Sequence, residues 1–210
     1  MQLPDGEPAF GLWVDREYPD VAAWLGMSTE TRGIIAVDGR SGSGKTTFAC
    51  GLADALPGAS VVHTDDVAWH HSVFGWADLM VDAVVKPFLA GEDVAYRPPA
   101  WGARDREGAI EVPGGTSWLV IEGVGAARGE LDEFLDVIVW VQCDFAVAER
   151  RGIERDGGDQ RAIDFWHEWM ASEIPFLAEH RPWDRADAIV NGSPEEPSSR
   201  GAWVSFPLAT

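Results

Sequence analysis

The stretch Ile34-Ile-Ala-Val-Asp-Gly-Arg-Ser-Gly-Ser-Gly-Lys-Thr-Thr-Phe48 decides the fold, because it reads as a buried strand, a glycine-rich turn and the start of a helix. Within it, Gly39, Gly44, Lys45 and Thr46 match the spacing G-x-x-x-x-G-K-S/T of a phosphate-binding loop. Glycines let the backbone curl so that its N–H groups face inward, and the following helix adds the positive end of its dipole at the same point. The sequence therefore predicts a site for an anion of phosphate size.

We interpret this anion as the triphosphate of a nucleotide that binds together with magnesium. Lys45 is placed to reach the β- and γ-phosphates, and the hydroxyl of Thr46 can ligate Mg²⁺. A loop that merely turns the chain would not require a lysine and two threonines at these offsets. The predicted nucleotide-binding residues are Gly39, Arg40, Ser41, Gly42, Ser43, Gly44, Lys45, Thr46 and Thr47.

The composition restricts the class of partner. The 210 residues suffice for one domain with a sizeable core, and 16 Lys and Arg against 35 Asp and Glu give a formal net charge of −19. Such a charge repels a nucleic-acid backbone or an anionic membrane, so we expect a small-molecule partner.

Cys50 and Cys143 lack metal-type spacing and are expected to be buried free thiols. With no signal-peptide or membrane-span pattern, these features predict a cytoplasmic protein and leave its oligomeric state open.

From residue 33 onward, short β-branched runs alternate with helical patterns, which is typical of a parallel sheet covered by helices on both faces. Strands are predicted at 34–37, 60–63, 118–121, 137–141 and 188–190, and helices at 45–56, 76–89, 145–156 and 160–179. The sequence thus predicts an α/β fold with a five-stranded, mainly parallel sheet at residues 33–192. Residues 1–32 are expected to form a loosely structured arm, and 193–210 a tail.

The predicted helix at 160–179 carries an apolar stripe at helical spacing. Its members are Ile163, Trp166, Met170, Ile174 and Leu177. We interpret this stripe as core packing rather than a cofactor site.

Acidic side chains follow two of the strands at their carboxyl ends, where open α/β sheets bind ligands. Asp65 is predicted to accept the proton of an attacking hydroxyl group. The alternatives are that Asp65 caps the next helix, or that the neighbouring Asp66 is the base. Glu122, which follows the strand at 118–121, is predicted to be an outer-shell magnesium ligand or to hold a water. Thr46, Asp65 and Glu122 form the predicted metal site.

Three arginines, Arg150, Arg151 and Arg155, lie on the predicted helix at 145–156 at spacings that bring at least two of them together. They either pair with neighbouring acids in solvent, or form a mobile lid that carries a guanidinium to a transferring phosphoryl group. From the residues alone these two interpretations are equally supported.

The irregular segment at 93–115, with a short strand expected at 109–112, is long enough to be a binding segment. Its residues Tyr96, Arg97, Trp101 and Arg104 can stack on and hold the ring of an acceptor molecule. The alternative is a surface flap that is packed by its own aromatic side chains.

Four stretches resemble the uridine kinase and nucleoside kinase branch of the P-loop kinases, especially the uridine kinase-like proteins of actinobacteria. The first two are the loop at 39–47 and Val62-His-Thr-Asp-Asp66, the second of which is also similar to the Asp-Asp of nicotinamide riboside kinases. The others are Trp118-Leu-Val-Ile-Glu-Gly-Val-Gly125 and Glu149-Arg-Arg-Gly-Ile-Glu-Arg-Asp156, which is similar to an arginine-rich lid motif. The resemblance covers roughly residues 33–192.

This resemblance implies a P-loop NTPase fold with a helical lid at about 145–165 and an acceptor-binding flap at about 93–115. It further implies transfer of the γ-phosphoryl group of ATP, with Mg²⁺, to a hydroxyl of a small nucleoside-like metabolite. The catalytic residues are then Lys45, Asp65, Arg151 and Arg155, and Asp66 lies in the substrate site. Uridine itself is not predicted, because the residues after Asp66 differ from those of well-studied uridine kinases. A nucleotide switch without a small acceptor and a sugar or antibiotic phosphotransferase are the alternatives, and ATP against GTP stays open.

Overall fold

The structure is a computed structural model that describes residues 1–206. Nine strands are present in these residues: β1 (Val14–Glu17), β2 (Gly33–Gly39), β3 (Ala59–His63), β4 (Val94–Tyr96), β5 (Ile110–Val112), β6 (Trp118–Glu122), β7 (Val137–Gln142), β8 (Ala188–Asn191) and β9 (Gly201–Ser205). The α-helices in the same range are α1 (Tyr18–Trp24), α2 (Lys45–Asp54), α3 (Thr64–Ala68), α4 (Ala77–Met80), α5 (Lys86–Ala90), α6 (Pro99–Ala103), α7 (Phe145–Arg155) and α8 (Gln160–His180). A π-helical turn at Val81–Val85 and 3₁₀ turns at Gly129–Phe134 and Pro182–Asp184 complete the elements.

The main sheet has the strand order β1-β9-β8-β7-β2-β6-β3. Its five strands from β8 to β3 are parallel, which confirms the predicted five-stranded parallel sheet. Two antiparallel strands extend it, β9 beside β8 and β1 beside β9. The segments predicted as an arm and a tail therefore each contribute a strand, while residues 207–210 of the predicted tail lie outside the described residues.

Strand β2 lies at the centre of this sheet, between β6 and β7, and its apolar residues are fully buried. Its side chains alternate between two cores, as the period of a strand requires. Ile35 and Val37 pack on the face covered by α2, whereas Ile34 and Ala36 pack on the opposite face with the helices that follow β3. This double burial fixes the end of β2, and with it the loop that follows.

The helix predicted at 76–89 is divided into α4, the π-helical turn and α5. Pro87 lies in the first turn of α5. A proline has no N–H and its ring displaces the preceding carbonyls, so the wider turn just before it accommodates Pro87. The helix ends at Gly91, whose φ of +77° is the left-handed conformation of a helix C-cap.

The apolar stripe of α8 differs from the prediction at one position. Trp166, Met170 and Leu177 are buried as expected, but Ile174 is 37% exposed and Glu173 is fully buried in its place. Positions 173 and 174 both fit a helical period after Met170, so spacing alone could not choose between them. The contacts of Glu173 with the glycine-rich loop, described below, decide the rotation of the helix.

Two further predictions concern the cysteines and the segment at 93–115. Cys143 is buried, but Cys50 is exposed, because it follows the buried Ala49 on the solvent side of α2. The short strand expected at 109–112 is confirmed as β5, and it pairs with β4 in a separate two-stranded antiparallel sheet. Among residues 1–206, no helix combines the length and the apolar character needed to cross a bilayer.

Candidate nucleotide and acceptor sites

The glycine-rich loop joins the end of β2 to the first residue of α2 and requires two glycines in the left-handed region. Gly42 has φ +76° and Gly44, the N-cap of α2, has φ +98°. A Cβ atom on Gly42 would lie 2.2 Å from the carbonyl oxygen of Ala148, so the loop packs directly against the backbone of α7. The sequence-predicted loop thus has the conformation and the helix N-terminus that an anion site needs.

Several polar side chains at the loop and the start of α2 have protein partners, although the buried hydroxyl of Ser43 has none among the described residues. The ammonium of Lys45, a residue 7% exposed, donates to the carbonyl oxygen of Arg40 at 2.9 Å. The hydroxyl of Thr46 donates to Oε1 of Glu122 at 3.2 Å, and Nδ1 of His63 lies 2.6 Å from Oε2 of the same carboxylate. This contact with Glu122 is the main cause that raises the pKa of His63. The predicted Lys45, Thr46 and Glu122 are therefore brought together at one edge of the sheet.

The donor set at this edge fits Mg²⁺, which takes oxygen ligands. A hydroxyl on Thr46 and a buried carboxylate on Glu122 lie within hydrogen-bonding distance of each other beside the loop. Asp65 lies in the first turn of α3, at the end of the neighbouring strand β3. Among residues 1–206 no cluster of three or more His, Cys, Asp or Glu side chains is placed to hold a metal ion, and the magnesium site stays a prediction.

Asp38, which sequence analysis did not select, is a buried acid that is hydrogen-bonded to the start of the glycine-rich loop. Its carboxylate accepts from the backbone N–H groups of Gly39 at 2.7 Å, Gly125 at 3.0 Å and Ala127 at 2.9 Å. Burial raises the pKa of Asp38 to about 6, and the backbone hydrogen bonds and the charge of Lys45 oppose that shift. Asp38 thereby joins the start of the loop to the turn after β6. Its signal in the sequence is a single acid at the end of an apolar strand.

Glu173 is a second buried acid that sequence analysis missed. Its carboxylate on α8 accepts from the Ser41 N–H at 3.2 Å, from the Ser41 hydroxyl at 2.6 Å and from the indole N–H of Trp169 at 2.7 Å. Glu173 therefore connects the glycine-rich loop to the long helix of the predicted lid. A lone acid on the apolar stripe of α8 is the signal that could have identified it.

The three arginines of the predicted lid have different environments. Arg151 donates to the carbonyl oxygens of Gly192 at 2.7 Å and Gly42 at 3.4 Å, so it lies between the loop and the turn after β8. Arg155 is held by Asp156 through two hydrogen bonds of 2.9 and 3.0 Å. Arg150 is exposed. Arg151 and Arg155 thus lie on the side of α7 that faces the loop or its neighbouring cavity.

A cavity of about 390 Å³ lies beside Gly44 and Thr47, where the loop enters α2. Its walls include Tyr18 of α1, Arg151 of α7 and Trp203 of β9. The two terminal segments therefore complete this cavity, which has room for the base of a nucleotide whose phosphates occupy the loop.

A larger cavity of about 550 Å³ opens on the other side of the loop, next to Ser41. Asp65 and Arg155, two predicted catalytic residues, line it. Four aromatic side chains form much of its wall: Trp69, Phe165, Trp166 and Trp169. The stripe on α8 that was interpreted as core packing thus contributes Trp166 to a cavity wall as well, although that residue is 3% exposed.

The predicted acceptor residues of the segment at 93–115 do not line this cavity. Trp101 is buried and its indole N–H donates to the carbonyl of Asp66 at 2.9 Å, while the carboxylate of Asp66 pairs with Arg106 at 2.5 Å. The Arg106 guanidinium also stacks on the ring of Trp101 at 3.6 Å. The segment is therefore packed by its own aromatic side chains around Asp66, which matches the alternative interpretation. Sequence analysis did not select Arg106, which makes these contacts.

The remaining residues of that segment are placed around the same packing. The hydroxyl of Tyr96 is buried, with no hydrogen-bond partner among the described residues. Arg97 donates to the carbonyl of Arg106 at 2.9 Å, and Arg104 is exposed at the end of α6. Their assignment to an acceptor site stays a prediction.

Comparison with known proteins gives similarity in fold. No model of a protein family and no curated protein matches the chain. Among solved structures, a proposed fructose transport system kinase from Silicibacter sp. TM1040 superposes with a TM-score of 0.58 at 20% identity, over 82% of this chain and 96% of the other. A possible uridine kinase from Bacillus stearothermophilus superposes with a TM-score of 0.53 at 22% identity, over the same shares of the two chains. With the glycine-rich loop and the parallel sheet described above, these similarities show that the chain has the fold of the P-loop kinases.

Proposed function

We propose that the protein is an ATP-dependent phosphotransferase that moves the γ-phosphoryl group of ATP to a hydroxyl of a small, nucleoside-like metabolite. The observation that carries this proposal is the position of the larger cavity of about 550 Å³. Its wall includes Ser41 of the glycine-rich loop, here also called the phosphate loop, together with Asp65 and Arg155. A phosphotransferase needs a second cavity at that point for its acceptor, whereas a nucleotide switch does not. The names of the two structural neighbours, a fructose transport system kinase and a uridine kinase, agree with a small acceptor.

In this proposal the loop binds the β- and γ-phosphates through its backbone N–H groups. Lys45 exchanges the Arg40 carbonyl for phosphate oxygens, and Thr46 and Glu122 hold Mg²⁺. When bound, Mg²⁺ neutralises charge on the phosphates. ATP is the proposed donor, with its base in the cavity beside Gly44.

Asp65 accepts the proton of the acceptor hydroxyl at its carboxylate. The hydroxyl oxygen then forms a bond to the γ-phosphorus while the bond to the bridging oxygen of ADP breaks. Asp66 is the weaker candidate for the base, because its carboxylate is already paired with Arg106. Arg151 and Arg155 provide guanidinium groups that can approach the transferring phosphoryl group.

The wall of the cavity favours an acceptor with a planar ring. Trp69, Phe165 and Trp169 offer faces on which a base can stack, and such stacking contributes about 1 to 3 kcal/mol per base in nucleic-acid sites. A free sugar lacks a π-face and gains less from this wall. We accordingly favour a nucleoside over a sugar or an antibiotic as the acceptor. We further propose that the protein is cytoplasmic and has no nucleic-acid or membrane partner.

The proposal is tested by measuring thermal stability with a non-hydrolysable ATP analogue and Mg²⁺, alone and together with nucleosides, hydroxylated vitamins or hexoses. A ligand at 100 times its dissociation constant stabilises the folded state by about 2.7 kcal/mol. For a chain of this size that corresponds to roughly 5 to 11 °C in Tm. Compounds that add to the shift are then assayed for phosphorylated product with ATP.

Lys45→Ala is the matched control. It is expected to keep the fold and to lose the nucleotide-dependent shift, because it removes the ammonium from the loop. An unchanged affinity for ATP in this variant would contradict the loop assignment. ATP hydrolysis at the same rate with and without every acceptor would favour the nucleotide switch instead.

A further inference from the structure

Glu7 precedes the first strand, yet its carboxylate is buried against the phosphate loop. Its side chain is 1% exposed. Oε2 accepts from Nε of Arg40 at 2.9 Å and from Nη2 of Arg40 at 2.7 Å. Oε1 accepts from the indole N–H of Trp140 at 2.8 Å and from the side-chain amide of Gln142 at 3.0 Å. Four N–H donors thus surround one carboxylate that lies 33 residues before the loop.

These contacts hold the N-terminal segment in place. A buried charge is costly unless it is paired and hydrogen-bonded, and Glu7 has both a counter-charge and neutral donors. The side-chain amide of Gln142 also donates to the carbonyl of Pro8 at 2.9 Å, and its oxygen accepts from the N–H of Phe10 at 3.1 Å. Residues 7 to 10 are therefore attached to the carboxyl end of β7, directly beside β2.

One partner of Glu7 belongs to the phosphate loop itself. Arg40 is 3% exposed, and its backbone carbonyl accepts the hydrogen bond from the Lys45 ammonium. Glu7 thus fixes the side chain of the same residue whose carbonyl holds Lys45. A shift of Arg40 in its pocket would move this carbonyl and the start of the loop, and would thereby change the position from which Lys45 is presented.

We propose that Glu7 is a positioning residue for the phosphate loop, which acts on Lys45 through Arg40. The inference rests on the proposed function, since it concerns how Lys45 is presented to ATP. It assigns the N-terminal segment, expected from the sequence to be a loose arm, to the nucleotide site. The rival interpretation is that the buried pair between Glu7 and Arg40 only stabilises the fold.

Two variants separate these interpretations. Glu7→Gln keeps the size of the side chain but leaves Arg40 buried without a counter-charge, so it is expected to lower both Tm and the affinity for ATP. The double variant Glu7→Gln/Arg40→Met removes the charge of both partners, so that no buried charge is left unpaired, and keeps an amide oxygen that can accept from Trp140 and Gln142. Ser205→Ala is the control, because it removes a 2.7 Å hydrogen bond to the carbonyl of Gly11 in the same segment without contacting the loop.

The measurements are Tm and the dissociation constant of Mg·ATP by calorimetry, at a temperature where each variant is folded. Glu7→Gln is expected to weaken Mg·ATP binding about tenfold, the usual order for a hydrogen bond to a charged group. The double variant is expected to recover Tm but to retain the weaker binding, and Ser205→Ala is expected to bind as the parent does.

Parent-like affinity in the double variant or in Glu7→Gln would overturn the inference and leave only a stabilising role for the pair. A parent protein that does not bind Mg·ATP would instead refute the proposed function, and the two failures are therefore distinguishable.

Discussion

Replacing Gly42 by alanine tests the packing of the glycine-rich loop against helix α7, the proposed lid. Gly42 has φ +76°, and its added Cβ would lie 2.2 Å from the carbonyl oxygen of Ala148, whereas ordinary contacts begin at 3.4 Å. The loop and α7 must therefore separate by roughly 1.2 Å. Because Arg151 on α7 donates to the Gly42 carbonyl, the same shift displaces this lid arginine.

The energetic cost has two parts. A left-handed conformation costs a residue with a side chain about 1 to 2 kcal/mol. Overpacking in a tight contact adds about 1 to 3 kcal/mol. Gly42→Ala should thus lose about 2 to 5 kcal/mol of stability, or roughly 4 to 20 °C in Tm. Turnover should fall by about two orders of magnitude, as a 1 Å misplacement in an active site can cause.

Gly26→Ala is the matched control for this experiment. Gly26 has φ +73°, nearly the same as Gly42, but a Cβ there has no atom within 4 Å. Its cost should be only the backbone strain, about 1 to 2 kcal/mol, with parent-like turnover. Thermal unfolding, together with the ATP-binding and transfer assays, measures both effects. If Gly42→Ala lost no more stability and activity than Gly26→Ala, the close packing of loop and lid would be refuted.

Three further predictions concern single side chains. Asp65→Asn should lower turnover by about 10² to 10⁴ and keep ATP affinity within a few-fold; a larger loss of turnover in Asp66→Asn would show that Asp66 is the base. Arg151→Ala should reduce kcat more than it weakens ATP binding, because it removes an interaction made in the transition state, and equal losses would argue against a lid role. Asp38 has a pKa of about 6 in the folded protein against 3.8 unfolded, so the stability from its protonated form is present below pH 3.8 and lost as pH rises through 6. Relative to Asp38→Asn, the parent should lose about 3 kcal/mol over this range in chemical denaturation, and parallel pH profiles would contradict the burial of this charge.

The centre of the fold could be predicted because its signals are local. An apolar strand, a glycine-rich turn and a lysine at fixed spacing occur together in residues 34–48, and the next strands repeat the buried apolar pattern. The start of α7 has an equally local cause, because the Asp144 carboxylate accepts from the N–H groups of Ala146 and Val147.

The edge strand β1 lacked such a signal. All four residues of β1 are exposed, so no alternation of apolar and polar side chains marks the strand. It forms because β9 offers unpaired backbone groups, and β9 lies almost two hundred positions away in the chain. Pairing over that distance is decided by the assembled sheet and not by local sequence.

The site was predictable where a motif fixes the backbone and was not where distant side chains meet. Ser41 and Glu173 are 132 positions apart, and Glu7 reaches Arg40 across 33. In the sequence, Glu173 is a single charge within an apolar stripe, and Glu7 is one of the 35 acidic residues of the chain. Their partners become visible only when the carboxyl end of the sheet is assembled.

In the proposed function, these contacts bear on how an acidic protein binds a polyanion. Three side chains of the loop already have protein partners, Lys45 a carbonyl, Ser41 the carboxylate of Glu173 and Thr46 that of Glu122, whereas the buried hydroxyl of Ser43 has none among the described residues. A triphosphate that enters the loop would therefore exchange hydrogen bonds at these three side chains, and the net gain per exchanged bond is small.

The binding energy must then come from the loop's remaining N–H groups, the helix dipole and the Lys45 charge acting together. Two nearby carboxylates, Glu122 and Glu173, oppose an anion that arrives alone, because like charges at short range repel strongly in a low-dielectric site. In the proposed function, a nucleotide that carries Mg²⁺ would bring a cation to Glu122 and remove the opposition of that carboxylate. Glu122, which is unfavourable for a simple anion, would thus favour a metal-bound triphosphate.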